Sequence, residues 1–188
     1  MGRFIIGVIV GLIVFPLGLI GWFRWGTPPV AVADHALPFE KQITSVPLHS
    51  RIDREMLNTP PIQATDENFI AGAKIYRENC ADCHGFNGKV STIGAQMFPE
   101  VPQLWRKHPG GNVVGVSDDP PGETYWKVAN GIRLSGMPSF DHILSSKQIW
   151  QVTLLLANAN KPIPPEAQAM VSPPPANPPA PATPSNRK

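Results

Sequence analysis

The two cysteines of this 188-residue chain lie three positions apart and are followed directly by a histidine, in the string Cys80-Ala81-Asp82-Cys83-His84. Two thiols at this spacing with an adjacent imidazole are typical of covalent attachment of a c-type haem. Each thiol can add across one vinyl group of the porphyrin, and the imidazole then lies next to the iron as an axial ligand. The sequence therefore predicts one covalent haem c, attached at Cys80 and Cys83, with His84 as the first iron ligand.

Three other interpretations of the cysteine pair compete with this one. A zinc site needs two further ligands at close spacing, but the remaining histidines stand singly at positions 35, 49, 108 and 142. A thioredoxin-like dithiol needs a βαβ setting, whereas a helical pattern precedes Cys80 and a glycine-rich segment follows His84. A plain disulfide would leave the histidine unexplained. Haem attachment accounts for all three residues.

The second axial ligand is predicted within the loop NGIRLSGMPSF, residues 130–140. Methionine sulfur is a neutral, soft ligand, and its pairing with histidine raises the reduction potential and closes the iron to outside ligands. Met137 precedes Pro138 in a glycine-flanked loop, so its backbone has limited freedom. We therefore expect Met137 to be the second ligand. The competing residues for this position are Met97, His108 and His142.

Residues 65–160 form the only segment with helical start and stop signals. Thr65 or Asp66 begins a helix that leads into Cys80, a short helix is expected over 123–130 before Gly131, and Ser145 or Ser146 begins a last helix that ends near 158. Glycine and proline recur throughout residues 85–121, so little regular structure is expected there. These signals predict an all-α domain in which three or more helices surround one haem.

The amino-terminal residues 4–23 contain no charged side chain, and a helical run of this length matches the hydrocarbon thickness of a bilayer. This predicts a transmembrane anchor over residues 1–25, with Trp22 and Trp25 marking an interface. A cleaved signal peptide is the alternative, because Ala31-Val32-Ala33 supplies small residues in a suitable pattern. More than about ten residues separate that string from the end of the apolar run. The run is also longer than the usual apolar region of a signal peptide. An uncleaved anchor is favoured.

Proline-rich segments flank the predicted domain. Residues 26–64 show no convincing helical or strand period and are interpreted as a tether between membrane and domain. Residues 161–188 contain 10 of the 23 prolines and no periodic apolar face, so a disordered tail is predicted there.

The charge balance excludes one class of function. Lys and Arg number 16 against 14 Asp and Glu, a net charge of +2, which gives no basis for binding nucleic acid through its phosphates. The basic residues Arg106 and Lys107, with Trp105, are candidate partners of the haem propionates.

Several of these features together resemble a class I monohaem cytochrome c domain of the type found alone or fused in bacterial respiratory chains. The resemblance covers residues 65–160 and rests on the Cys80–His84 string, the Pro102-x-Leu104 pair, the NGI…GMPSF loop and a final amphipathic helix that begins SSKQIW. In that family the histidine and the methionine are axial ligands, and a glycine of the first helix packs across the last one. Gly72 matches this glycine. An aromatic residue common late in the last helix is Leu155 here, so Trp150 is expected to supply part of that packing.

The resemblance implies an electron carrier rather than an enzyme, and no catalytic base or nucleophile is visible. It places the haem domain in the periplasm, on a single-pass chain of the bacterial inner membrane whose amino terminus is cytoplasmic. The expected partners are a redox donor and a redox acceptor in or near that membrane. A fixed electron-transfer subunit of a larger dehydrogenase or oxidase complex is the first alternative. A haem sensor or peroxidase with a displaceable Met137 is the second.

Overall fold

The structure is a computed structural model that describes residues 1–174 of the chain. Over these residues it is all-helical, with no strand beyond two isolated bridges, which confirms the predicted fold class. The chain divides into two compact units, one of residues 1–45 and one that begins at Val46. The helices are α1 (Gly2–Trp25), α2 (Glu40–Glu55), α3 (Asp66–Asn79), α4 (Ala81–His84), α5 (Pro121–Asn130), α6 (Ser146–Ala157) and α7 (Pro165–Val171), with a 3₁₀ turn at Gly94–Gln96.

The first unit is dominated by α1, the predicted apolar segment. Its mean hydropathy reaches 2.7, none of its residues is buried, and its 24 residues are long enough to cross a membrane. Pro16 lies inside this helix. Membrane helices tolerate such a residue because neighbouring groups satisfy the carbonyl that it leaves free.

The second unit is built around the crossing of α3 and α6. The Thr65 side chain accepts a hydrogen bond from the Asn68 N–H and caps α3, as the sequence predicts. Ser145 and Gln148 form a reciprocal capping box at the start of α6. A Cβ atom on Gly72 would lie 2.3 Å from the Gln151 carbonyl oxygen, so only glycine permits the two backbones to approach this closely. The expected glycine contact between the first and last helices of the domain is confirmed.

Aromatic packing joins α5 to α6. The Tyr125 ring stacks on the Trp150 ring with centroids 4.3 Å apart, and Trp150 is fully buried. Leu155 is also fully buried. α5 ends at Asn130, and Gly131 follows with a φ of 67°, a conformation that a side chain would strain.

Helix α7 corrects the predicted disordered tail over residues 161–188. Ala167 and Val171 are fully buried, and α7 packs on α3. The Val171 carbonyl accepts a hydrogen bond from the Asn87 N–H at 2.8 Å. Pro165 occupies the first helical position, where its missing N–H costs nothing, and so helps the helix to begin. The sequence analysis did not find this helix because its few apolar residues lie in a proline-rich segment. Residues 175–188 lie outside the described part of the chain.

Helix α2 corrects the predicted irregular tether over residues 26–64. Ile52 is buried, and the Trp126 indole donates a hydrogen bond to the Glu55 carboxylate at 2.9 Å. Arg51 forms an ion pair with Glu55 at 2.8 Å and lies over the Trp126 ring. Hydrogen bonds from Arg51 and Trp126 hold the pKa of Glu55 below its ordinary value. The contacts that stabilise α2 come from Trp126 of α5, 71 positions from Glu55 in the sequence. The hydrophobic pattern of residues 40–55 therefore does not reveal this helix.

We predict that Gly72→Ala destabilises the domain by about 1–3 kcal/mol. Alanine gains about 1 kcal/mol of helix propensity over glycine, but its Cβ would meet the backbone of α6, which cannot yield without separating the helices. Denaturant unfolding of the haem-loaded protein measures the change. Gly111→Ala is the control, since the nearest atom there would be 3.9 Å away. Equal stability of Gly72→Ala and the parent would contradict the tight crossing.

We also predict that a chain ending at residue 160 is less stable than one ending at residue 174 by about 2–4 kcal/mol, because burial of Ala167 and Val171 is lost. Thermal unfolding of the two truncated proteins gives the comparison. If both melt at the same temperature, α7 contributes nothing to the domain.

Candidate haem-attachment site

The two cysteines lie at the junction of α3 and α4. The Cys80 N–H donates to the Tyr76 carbonyl at 2.9 Å and ends α3, and the single turn of α4 then carries Cys83 and His84. Both thiols are free and half-buried. We call residues 80–84 the haem-attachment turn.

The electrostatics of the thiols bear on the alternatives. Burial raises the pKa of Cys80 to about 12, with a further contribution from Cys83 nearby. Reactive dithiols show the opposite shift, since a thiolate is the nucleophile and a lowered pKa supplies it. Within residues 1–174 no group of three or more His, Cys, Asp or Glu side chains is arranged to hold a metal ion. A redox-active dithiol and a zinc site therefore both fit these residues poorly.

The His84 imidazole is fixed by one hydrogen bond. Its Nδ1 lies 2.9 Å from the Pro102 carbonyl oxygen, and burial lowers the pKa of the ring despite that bond. The ring is therefore neutral, with its proton on Nδ1, because a carbonyl can only accept. In this tautomer the lone pair on Nε2 is available to a metal. A hydrogen bond from the other ring nitrogen, as here from Nδ1, orients the imidazole of a ligating histidine.

The loop after the haem-attachment turn folds back on it. The Ser91 N–H donates to the Gln103 side chain at 2.7 Å, and the Ser91 hydroxyl donates to the Asp82 carbonyl. Gln103 also donates to the Cys83 carbonyl at 3.4 Å. The Leu104 N–H donates to the His84 carbonyl at 3.2 Å. These bonds hold Pro102, and with it the His84 ring, in position.

Tyr76 and Trp105 form the buried polar part of the site. The Tyr76 hydroxyl donates to the Gly85 carbonyl at 2.6 Å, and burial raises its pKa far above the usual range. Trp105 meets Tyr76 edge to face with centroids 5.7 Å apart. The Trp105 indole N–H is buried and makes no hydrogen bond of ordinary geometry within the described residues, although it lies close enough to the Tyr76 hydroxyl to oppose part of the rise in its pKa. Arg106 and Lys107 are exposed.

Met137 lies at the end of a loop that follows α5, residues 132–137, which we call the methionine loop. The Met137 carbonyl accepts from the Ile132 N–H at 3.2 Å, and the Met137 N–H donates to the Ser135 hydroxyl at 3.2 Å. Leu134 has a φ of 63°, which costs a non-glycine residue about 1 kcal/mol. Met137 is half-buried and packs against the same hydrophobic core that Cys80 contacts.

The competing ligands occupy different settings. His142 is exposed and pairs with Asp141 at 3.5 Å, and His108 is exposed in the loop 106–115. Met97 is half-buried and lies against Gly136, next to Met137. The structure thus brings Met97, but neither histidine, into contact with the methionine loop.

The residues that fix the site were only partly visible in the sequence. Pro102 stands in a motif, but its carbonyl as the acceptor for His84 was not predicted. Ser91 and Gln103 carry no sequence signal, because their role comes from hydrogen bonds to the backbone of residues 82 and 83.

Residues 67–155 match the protein family described as cytochrome C oxidase, cbb3-type, subunit III. No curated protein matches the chain. Among solved structures, the chain is similar to a chain of the Kuenenia stuttgartiensis reducing HAO-like protein complex Kustc0457/Kustc0458, at 22% identity and a TM-score of 0.41. That similarity covers 73% of this chain and 53% of the other, so the chain spans about half the length of that relative.

The matched segment begins within α3 and ends within α6, and it includes the haem-attachment turn and the methionine loop. The matched segment is therefore similar to a class I-like monohaem cytochrome c domain. Domains of this class bind haem c and transfer electrons.

Proposed function

We propose that the protein carries single electrons by means of one haem c, attached covalently through thioether bonds at Cys80 and Cys83. The observation that carries this proposal is the hydrogen bond from His84 to the Pro102 carbonyl, within a Cys-x-x-Cys-His turn. It places the proton of the neutral imidazole on Nδ1 and leaves Nε2 available to a metal, while burial of the ring lowers its pKa. The raised pKa of Cys80 makes this thiol a poor nucleophile for disulfide exchange.

The remaining residues have assigned roles around that group. When bound, the haem supplies one iron centre that gains or loses a single electron. His84 and Met137 would hold the iron, and a ligand pair of this kind would leave no open position for oxygen or peroxide. The folded loop 91–104 holds His84 in place, so little rearrangement accompanies a change of charge.

The buried indole N–H of Trp105, which makes no hydrogen bond of ordinary geometry within the described residues, supports the fit of the haem. A buried N–H without an acceptor is costly, so native structures provide one. We assign Trp105 as a donor to a haem propionate. Arg106 and Lys107 are exposed, so any attraction between their positive charges and the propionates would be exerted through solvent at the surface.

We further propose that α1 is an uncleaved anchor in the bacterial inner membrane, with the amino terminus in the cytoplasm and the haem domain in the periplasm. Its length and hydropathy support a span. Residues 26–39 separate α1 from α2, and fully extended they reach at most about 50 Å. The anchor then confines the domain near membrane-bound donors and acceptors and raises its effective concentration there.

A fixed subunit of a larger redox complex is the second candidate function. The description of the matched family, an oxidase subunit, favours it. Under this alternative the same haem domain passes electrons within one assembly, and α1 is an assembly contact as well as an anchor.

We predict that Met137→Ala removes the near-infrared charge-transfer band between methionine sulfur and ferric iron, while the haem stays covalently attached. The reason is that the thioether sulfur is lost but Cys80, Cys83 and His84 remain. Spectra of the purified full-length protein and the variant measure this. The reduced variant should also bind carbon monoxide, which the parent should resist.

Two results would contradict this assignment. Persistence of the band in Met137→Ala would remove Met137 as the ligand. Release of colour from the denatured parent protein, with both thiols free to react, would refute covalent attachment. Rapid carbon monoxide binding by the parent itself would favour a sensor or peroxidase instead.

Gentle detergent solubilisation is expected to separate the two candidate functions. We expect the protein to migrate alone, at the size of one chain with its detergent, because a carrier must exchange partners. Stable co-migration with other chains at fixed stoichiometry, retained through a second purification step, would support the fixed subunit.

A further inference from the structure

Met97 makes a close contact with the methionine loop. A Cβ atom on Gly136 would lie 1.9 Å from the Met97 methyl carbon and 3.7 Å from its sulfur. The methyl group therefore occupies the space that a side chain at position 136 would fill. Gly136 directly precedes Met137, so Met97 packs on the backbone that carries the proposed second ligand.

The other end of Met97 is fixed to the haem-attachment turn. The Met97 N–H donates to the Gly94 carbonyl at 3.3 Å, and the Gly94 N–H donates to the Ser91 hydroxyl at 2.9 Å. Ser91 is bonded in turn to the Asp82 carbonyl. A Cβ on Gly94 would lie 2.2 Å from the Cys83 carbonyl oxygen, so this segment rests directly on α4. Met97 is thus held in place relative to His84.

The methionine loop is held by the packing of Met137 on the core and by few hydrogen bonds. The hydrogen bonds described for residues 132–137 join members of the loop to one another, through Ile132, Ser135 and Met137. Leu134 adopts a positive φ and is exposed. Such a loop keeps one conformation only if residues outside it pack against it. Met97 makes one such contact, from the segment that rests on the turn carrying His84.

We infer that Met97 is a positioning residue that links the two axial ligands, resting on the haem-attachment turn and pressing on Gly136. We call this contact the Met97 bridge. It restricts movement of the methionine loop, and it thereby slows the displacement of Met137 from the iron by outside ligands. The inference rests on the proposed role of Met137 as second ligand.

The test uses the full-length, haem-loaded protein and two readouts. One is the near-infrared sulfur-to-iron band, and the other is the rate of carbon monoxide association with the reduced protein. Met97→Ala should keep the band and increase the association rate about tenfold, equivalent to about 1.4 kcal/mol. Met97→Leu keeps most of the side-chain volume and should restore the parent rate to within about twofold.

Met170→Ala is the matched control. Met170 is another half-buried methionine that packs against the core, but it lies on α7. Its truncation should lower the global stability and leave the carbon monoxide rate unchanged. An equal acceleration in Met170→Ala would show that general loosening, and not the Met97 bridge, controls the rate.

A reciprocal substitution tests the contact itself. Gly136→Ala should displace the Met97 methyl and accelerate carbon monoxide binding in the parent. In the Met97→Ala background the space is open, so Gly136→Ala should add little. Residues in contact show such non-additivity, whereas independent sites add. Additive effects of the two substitutions would overturn the bridge, even if Met97→Ala alone were too unstable to interpret.

The outcomes separate this inference from the proposed ligand set. Loss of the band in Met137→Ala with unchanged kinetics in Met97→Ala and Gly136→Ala refutes the bridge alone. Loss of the band in Met97→Ala and its persistence in Met137→Ala makes Met97 the ligand, and both proposals then fall.

Discussion

The hydrogen bond between His84 Nδ1 and the Pro102 carbonyl is the interaction on which the site depends. It places the proton of the neutral ring on Nδ1, and burial lowers the pKa of the ring although this bond alone would raise it. The carbonyl is itself held because residues 91–104 fold back on the haem-attachment turn through Ser91, Gln103 and Leu104. A glycine- and proline-rich segment thus has a defined structure without any long helix or strand.

The helices provide the frame for this loop. The crossing of α3 and α6 at Gly72 brings the two backbones together, and the aromatic stack of Tyr125 on Trp150 adds α5. α3 leads directly into the haem-attachment turn, and α5 leads into the methionine loop. Each proposed ligand therefore lies in the segment that directly follows a helix of the packed core. The Met97 bridge, as inferred, adds a direct link between the two ligand-bearing segments outside that core.

Electron transfer favours a centre whose surroundings change little between oxidation states. Backbone carbonyls and side-chain amides hold the residues around His84, and these groups carry no net charge. Burial raises the pKa of the Tyr76 hydroxyl, so this buried group also stays uncharged. A site held by uncharged groups fits the proposed electron carrier.

How much of this was predictable differs from element to element. The caps at Thr65 and Ser145, the end of α5 before Gly131 and the glycine contact at Gly72 were predicted, because each depends on residue types a few positions apart or on the family resemblance. Helices α2 and α7 were not predicted as helices. Their buried residues, Ile52, Ala167 and Val171, are few and lie among prolines, and their stability comes from contacts with α5 and α3.

The sequence by itself predicts the chemistry proposed for the site, because the spacing of two thiols and an imidazole is local and specific. It also determined the apolar character of α1 and the helical class of the domain, since both follow from residue order. Only the tertiary structure decided which carbonyl accepts from His84, that Ser91 and Gln103 secure that carbonyl, and that Met97 rests on Gly136. Those contacts join residues far apart in the chain, and their energies arise only after the helices have packed.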